Sequence, residues 1–385
     1  MPIDDPILLS LSGERLTAVY RIRAADEAVA LGRARDICLE QTVEFPESLI
    51  PNERIRAQIV GAVDALTAAG DGAWDATIRY PVEAAGGELT QLVNLLFGNV
   101  ALQPGVRLLD FWLPEGLLAG FRGPRFGIAG LRERVAVHDR PLLCTALKPM
   151  GLSAAALADL AYDLALGGID LIKDDHGLAD QPFCPFDERV GRCAEAVQRA
   201  NRETGLRCLY LPNVTAPADE IERRALAAKA AGAGGLLFIP GLAGLDAMRS
   251  LADDDRLDLP LLSHPAFIGG LAVAPDAGLS QRVLYGRLNR LGGADAAIFP
   301  HHGGRFAYSE AECRDIIKGC TDAMGHLASI FPVPAGGMQL ARVPALRTFY
   351  GRDCILLIGG DLHAGAAGLV ERARQFGALA GSLAP

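Results

Sequence analysis

Gly168-Ile169-Asp170-Leu171-Ile172-Lys173-Asp174-Asp175-His176 is the stretch that decides the fold. A short apolar run of strand length empties into a lysine, two aspartates and a histidine. Apolar residues pack a core, whereas Lys173, Asp174, Asp175 and His176 must be solvated, paired or bound to a metal. α/β enzymes place catalytic groups in this way, at the C-terminal end of a buried strand. Carboxylate, imidazole and a modifiable lysine together suit a divalent cation and proton transfer.

Around this stretch, short apolar strands alternate with Ala-rich helical patterns from about residue 141 onward. The strands read as 142–148, 169–173, 209–213, 235–239, 260–264, 296–300, 327–332 and 354–358. Helical periodicity falls between them, for example over 154–165, 217–231 and 310–325, with Ser153 and Ser309 as capping residues. Eight strands spaced by helices indicate a (β/α)8 TIM barrel, and nearly continuous apolar strands fit a parallel sheet buried on both faces. The strand ends carry Lys148, the 173–176 cluster, Asn213, His264, His301, His302, Gly336-Gly337 and Gly359-Gly360, which a barrel gathers on one rim. Residues 1–130 differ: strand signals at 16–23 and 77–81, a helix edging into a strand at 26–40, a helix signal at 89–98, and mixed signals at 54–66. They predict a separate α+β domain, joined through a linker at 122–127 to a barrel over 131–385.

Composition narrows the class. The chain has 385 residues, is 50% hydrophobic and 22% charged, and carries a net charge of -9 with no Lys/Arg stripe, which argues against a nucleic-acid partner. The eight cysteines form no C-x-x-C pair and read as reduced core thiols. Met1-Pro2-Ile3-Asp4-Asp5-Pro6 lacks the regions of a signal peptide, and no apolar stretch reaches about 18 residues, so the expectation is a cytoplasmic protein without a membrane span.

Several motifs resemble the RuBisCO large subunit. Thr145-Ala146-Leu147-Lys148-Pro149-Met150-Gly151-Leu152-Ser153 is similar to its first barrel strand. Lys173-Asp174-Asp175-His176, followed by Gln181-Pro182-Phe183, resembles its carbamylated-lysine metal motif. Leu95-Leu96-Phe97-Gly98-Asn99-Val100 resembles the asparagine element of its N-terminal domain. Ala335-Gly336-Gly337-Met338, Val343-Pro344-Ala345-Leu346 and Gly359-Gly360 resemble its late-barrel phosphate loops. The likeness covers nearly the whole chain in the right order and implies a ferredoxin-like N-terminal domain.

The departures are equally specific. The family's second metal carboxylate is His176 here, and Met150 stands where the carboxylases have a second lysine. Pro265 follows His264 in place of an arginine that holds the second phosphate. Phe299-Pro300-His301-His302-Gly303-Gly304-Arg305-Phe306 lacks the Gly-Lys-Leu-Glu-Gly pattern of the mobile loop, and Ala335 replaces a serine. These losses fall on groups that bind the far phosphate and handle CO2. The chain is therefore identified as a RuBisCO-like protein of the non-carboxylating kind.

The resemblance gives each residue an expected role beside its bland one. An isolated Lys-Asp-Asp is usually a solvated turn. By resemblance, a carbamate on Lys173 joins Asp175 and His176 in holding Mg2+, with Mn2+ an alternative because His176 brings nitrogen to an oxygen-preferring ion; the other role open to His176 is that of a proton carrier. Lys148 is either a snorkelling lysine or an acid/base group near the substrate carbonyl. Gly336, Gly337, Gly359 and Gly360 are turn glycines or a one-phosphate site. His264 is expected to contact a substrate hydroxyl, and Asn213 the substrate or the carbamate. His301, His302 and Arg305 have no assigned role. Glu40 and Asn99 would cover the barrel mouth of a partner, which implies a homodimer with shared active sites.

Such a site supports proton abstraction beside a carbonyl through an enediolate. One intact phosphate site implies a monophosphorylated substrate. The resemblance leaves two settings: methylthio-pentulose phosphates, handled by an isomerase or enolase, and branched sugar acids, where 3-oxo-isoapionate 4-phosphate would be decarboxylated or cleaved hydrolytically at a C–C bond, decarboxylation being the best guess. His264-Pro265 and the polar 301–305 loop leave little apolar room for a methylthio group, so the sequence favours the second. A barrel that only binds a sugar phosphate is the reading from another class.

Overall fold

The computed structural model describes residues 11–364 and 367–381, so Met1–Pro6, read above for targeting, lies outside them. Contacts divide the chain into two compact units. The first is Met1–Phe121 with Ile268–Leu284 and Met324–His326; the second is Arg122–Phe267, Tyr285–Ala323 and Leu327–Pro385. The division falls at Phe121/Arg122 rather than at 130. Residues 122–127, read as a linker, belong to the second unit, where Arg125 Nε and Nη2 donate to the Ala252 carbonyl at 3.1 and 3.0 Å.

In the first unit, β2 (Ala62–Gly70), β3 (Ala73–Pro81), β1 (Arg15–Arg23) and β4 (Val106–Trp112) pair antiparallel in that order. β1 alternates strictly, burying Leu16, Ala18, Tyr20 and Ile22, the period-2 signature of a sheet with one covered face. Ala30, Ala34, Ile37 and Cys38 make the buried stripe of helix Glu27–Glu40, at the helical spacing. Asp26 caps that helix by accepting from Val29 N at 2.9 Å.

The second unit is the barrel. Its strands are β5 (Leu142–Leu147), β6 (Leu171–Asp174), β7 (Leu209–Leu211), β8 (Leu236–Phe238), β9 (Leu261–Ser263), β11 (Ala296–Pro300), β12 (Phe331–Ala335) and β13 (Ile355–Leu357). They form two parallel four-stranded ladders, β13-β5-β6-β7 and β12-β11-β9-β8. A bridge between Asn213 and Leu237 joins the ladders on one side, and β12 lies beside β13 on the other. The β12–β13 seam has a cause in sequence. Phe331 N donates to β11's side, at the Asp295 carbonyl, so Pro332 and Pro334 turn their nitrogens toward β13 and have no N–H to donate. The seventh strand, read from sequence as 327–332, runs over Phe331–Ala335.

Inward residues fill the barrel: Leu142, Cys144, Leu171, Leu211, Leu237, Leu262, Ile298, Phe331, Val333 and Ile355 form one apolar cluster. Leu131 and Val135 of helix Gly127–Val135 continue it at the N-terminal end. Phe126 N and Gly127 N both donate at 2.7 Å to the buried Asp295 carboxylate, anchoring that helix to the start of β11. Truncating one of these leucines to alanine would cost about 2–5 kcal/mol.

Between β9 and β11 the chain leaves the barrel. There β10 (Gly278–Leu279) pairs parallel with β4, Gly278 opposite Arg107 and Leu279 opposite Leu108. Arg107 grips this excursion by donating to the Ala274 and Pro275 carbonyls and to Gln281 Oε1, at 2.9, 2.9 and 2.8 Å.

Candidate active site

β6 sets the geometry by alternation. Leu171 points into the core, so Lys173 points inward at the C-terminal end, while Asp174 points outward. The outward carboxylate is fully buried and accepts three bonds, from Arg189 Nε at 3.1 Å, Tyr210 OH at 2.7 Å and Asn213 N at 3.0 Å. It therefore anchors the strand against helix Phe186–Thr204 and β7. Sequence reasoning missed Arg189 and Tyr210. The available signal was Arg189 itself, a charge on the apolar stripe of Phe186, Val190, Cys193 and Val197.

Lys173 is 2% exposed and its Nζ donates to the Asp174 carbonyl at 2.9 Å. Burial pushes its amine below the usual lysine range, against the opposing pull of Cys144 and Asp175. A buried neutral amine is the form that adds to CO2. Asp175 Oδ1 lies 3.1 Å from Lys148 Nζ and 3.2 Å from His176 Nδ1. Burial raises the Asp175 carboxyl, but the His176 hydrogen bond and the charges of Lys148 and Lys173 outweigh it and hold the group well below the ordinary carboxylate value.

The His176 and His264 rings stack, 4.4 Å between centroids and 12° from parallel. His264 Nδ1 accepts from Ala266 N at 3.2 Å, which leaves the proton on Nε2. Burial lowers the His264 pKa to about 2, with Lys173 and His176 adding to the effect, so the ring is a neutral donor. Lys148, Lys173, Asp175, His176 and His264 thus form one cluster at the ends of β5, β6 and β9.

Other residues named from sequence take different places. Asn213 spends both amide hydrogens on the His176 and Leu178 carbonyls, at 3.1 and 2.9 Å, and accepts from Thr215 N. It holds the turn that carries Asp175 and His176. A methyl built on Gly359 would lie 3.9 Å from Lys148 Cε, which puts the Gly359-Gly360 turn beside the cluster. Gly336 and Gly337 have φ of 94° and 88°, conformations that favour glycine. A methyl on Gly336 would meet the Phe306 ring at 2.8 Å, so the 303–306 loop lies against this turn. His301 is fully buried and neither ring nitrogen has a partner among the described residues, whereas His302 packs on Phe349 with centroids 4.3 Å apart. In the first unit Asn99 Nδ2 donates to Glu40 Oε1 at 3.0 Å.

The expectation of little apolar room needs amendment. Met150 and Phe306, each about half exposed, stand at the rim, and a methyl on Gly177 would lie 2.6 Å from Met150 Cε. The residue that replaced a lysine supplies an apolar surface beside the 175–177 turn.

Among the described residues no three His, Cys, Asp or Glu side chains converge on a metal position. Asp175 and His176 are two adjacent donors, and an anionic oxygen on Lys173 would complete a set of three. The donors therefore fit a divalent cation only when Lys173 is carbamylated.

Residues 127–378 match the family described as the ribulose bisphosphate carboxylase large chain, catalytic domain. The chain is 42% identical to a 5-methylthioribulose-1-phosphate isomerase of Rhodospirillum rubrum, over 94% of this chain and 95% of that one. It is 38% identical to a 2,3-diketo-5-methylthiopentyl-1-phosphate enolase of Geobacillus thermodenitrificans, over 80% and 76% of the two chains. The crystal structure of a Rubisco-like protein from Rhodopseudomonas palustris superposes with a TM-score of 0.85 at 40% identity, covering 95% of this chain and 97% of that one.

Proposed function

The chain belongs to the RuBisCO large-chain family, and from that premise we propose that it enolises a monophosphorylated ketose through an enediolate, with a divalent cation and without carboxylating ribulose bisphosphate. The observation that carries this is the buried amine of Lys173 beneath the Lys148–Asp175–His176 cluster. Asp175, His176 and a carbamate on Lys173 would hold Mg2+ or Mn2+. When bound, the ion polarises the substrate carbonyl and its neighbouring oxygen. Lys148 Nζ moves the proton to and from the carbon beside that carbonyl, and Asp175 orients it. His264 Nε2–H donates to the oxygen that gains charge. The glycine turns after β12 and β13 take the phosphate through backbone N–H groups. Glu40 and Asn99 are assigned to the mouth of a partner barrel in a homodimer.

Two relatives named for methylthio-pentose phosphates, together with Met150 and Phe306 at the rim, favour 5-methylthioribulose 1-phosphate as the substrate, with isomerisation as the outcome. Decarboxylation of 3-oxo-isoapionate 4-phosphate is the second reading. The stacked His176 and His264 favour it, because polar donors at the mouth suit a sugar acid and loss of CO2 gives the enediolate without a base.

A proton NMR time course in D2O, with Mg2+ and bicarbonate, tests these readings. Isomerisation or deuterium uptake with 5-methylthioribulose 1-phosphate, abolished by Lys173→Ala, supports the first. CO2 release from 3-oxo-isoapionate 4-phosphate alone moves the protein to the second. Tight binding of either compound without exchange would leave a non-catalytic sugar-phosphate barrel and sink the enolisation proposal.

A further inference from the structure

The barrel has a second concavity, at the end opposite the catalytic cluster. A cavity of about 520 Å3 opens among the segments leading into β5, β6 and β7 and helix Leu369–Gly381. Small-molecule sites run from about 300 to 1,000 Å3. Asp170, the residue before β6, lines the cavity, and Lys173 lies three residues further along the chain, roughly 10 Å away at about 3.3 Å per extended residue. The two sites therefore lie at opposite ends of β6 and share no side chain.

Charge in this cavity does not cancel. Arg140, Arg207 and Arg374 line it with one carboxylate, Asp170. That carboxylate is already committed: Arg140 donates to it through Nη1 and Nη2 at 2.7 and 3.0 Å, and Leu143 N at 2.7 Å. Arg207 has no hydrogen bond or ion pair among the described residues. Arg374 has only Glu371, at 3.7 Å with both side chains exposed, a pair of little strength. Beside the two guanidiniums the wall is apolar, with Val135, Val137 and Leu206, and Leu206 is 50% exposed. Two guanidiniums lining one cavity with an apolar wall match a molecule with a doubly charged oxyanion at one end and a hydrocarbon or aromatic body at the other.

We infer that this N-terminal cavity is a binding site for a small amphipathic dianion, a phosphate monoester or a dicarboxylate, read by Arg207 and Arg374 and distinct from the catalytic mouth. The inference does not depend on the reaction proposed above, and either can fail alone.

Calorimetric titration of the full chain with phenyl phosphate at low ionic strength tests it. Wild type and Lys173→Ala should share a binding component of equal affinity. Arg207→Ala combined with Arg374→Ala should weaken that component at least roughly tenfold, the scale expected when charge-assisted contacts to an oxyanion are lost. Leu206→Glu, which sets a carboxylate beside the two arginines at a half-exposed position, should do the same in a chain that circular dichroism shows to be folded. A titration unchanged by both sets of substitutions, or a single component lost in Lys173→Ala, would place all phenyl phosphate binding elsewhere and overturn the assignment. Disodium succinate, titrated in parallel, separates the sources: displacement of phenyl phosphate by succinate marks a general dianion site, and its failure to compete marks a phosphate-ester site.

Discussion

Asp174→Leu should destabilise the protein by about 3–5 kcal/mol, and adding Arg189→Met should cost little more. The magnitude follows from the anchor under β6. Both side chains are 0% exposed, so neither charge can turn to solvent when its partner is removed. Leucine at 174 strips the acceptor from Arg189 Nε, Tyr210 OH and Asn213 N. Each buried donor left unsatisfied costs about 1–3 kcal/mol. Arg189 keeps the Cys184 and Ala179 carbonyls, at 3.1 and 2.8 Å, which holds the total to the lower half of that sum. Arg189→Met alone leaves the Asp174 carboxylate with two neutral donors and should cost a similar amount. Together the substitutions remove both charges, so the double variant should cost about as much as either single one. That corresponds to a coupling of about 3–5 kcal/mol, at or above the upper end for contacting residues, as a fully buried charge pair requires. Urea unfolding followed by far-UV circular dichroism measures it. Trp74 and Trp112 both lie in the first unit and report that unit separately. Single-variant losses below about 1 kcal/mol, or losses that simply add, would refute the reasoning, because either result requires a solvated rather than a buried pair.

Three further outcomes are expected. Asn213→Ala should lower metal-dependent activity about 10- to 100-fold with a stability loss near 1–2 kcal/mol, because it frees the turn bearing Asp175 and His176; activity assays across a Mg2+ titration and urea unfolding measure the two effects. Burial pushes the Asp295 carboxyl up to about 6 although three backbone N–H groups donate to it, so the folded state holds this proton above the ordinary aspartate value near 4; the stability of wild type relative to Asp295→Asn should therefore fall as pH rises from about 4 to about 6, by about 1.4 kcal/mol per unit at most, and level off above, as read from urea curves at stepped pH. All eight cysteines are buried, so a thiol reagent such as DTNB should label none quickly in the native protein and all in urea, as absorbance at the thiolate product would register.

The barrel was legible because its strands are buried on both faces and read as apolar runs bounded by turns. The cluster was legible for the complementary reason: Lys173, Asp175 and His176 are polar where the run should continue. Supporting contacts were harder to read. Nothing local links Asp174 to Arg189 and Tyr210, since their meeting depends on a helix returning across the outside of the sheet. Asn213 looked like a ligand because it ends a strand, and only the fold shows its amide spent on the 176–178 turn. Short, weakly apolar β10 was invisible: its two residues pair with β4 in a segment that Arg107 and Asp110 help to hold, Asp110 through Arg282 at 2.9 Å.

The excursion that carries β10 has a consequence for how the molecule is made. A ribosome delivers Met1–Phe121 first, yet the sheet begun there still lacks its last strand until Gly278–Leu279 emerges, after five barrel strands have been synthesised. The amino-terminal unit must wait, with the β4 edge open, while most of the chain is translated. No cut at a single point in the sequence separates the two units cleanly. A fragment ending near residue 121 would carry a bare edge prone to association, and one beginning there would carry the strand that belongs on it.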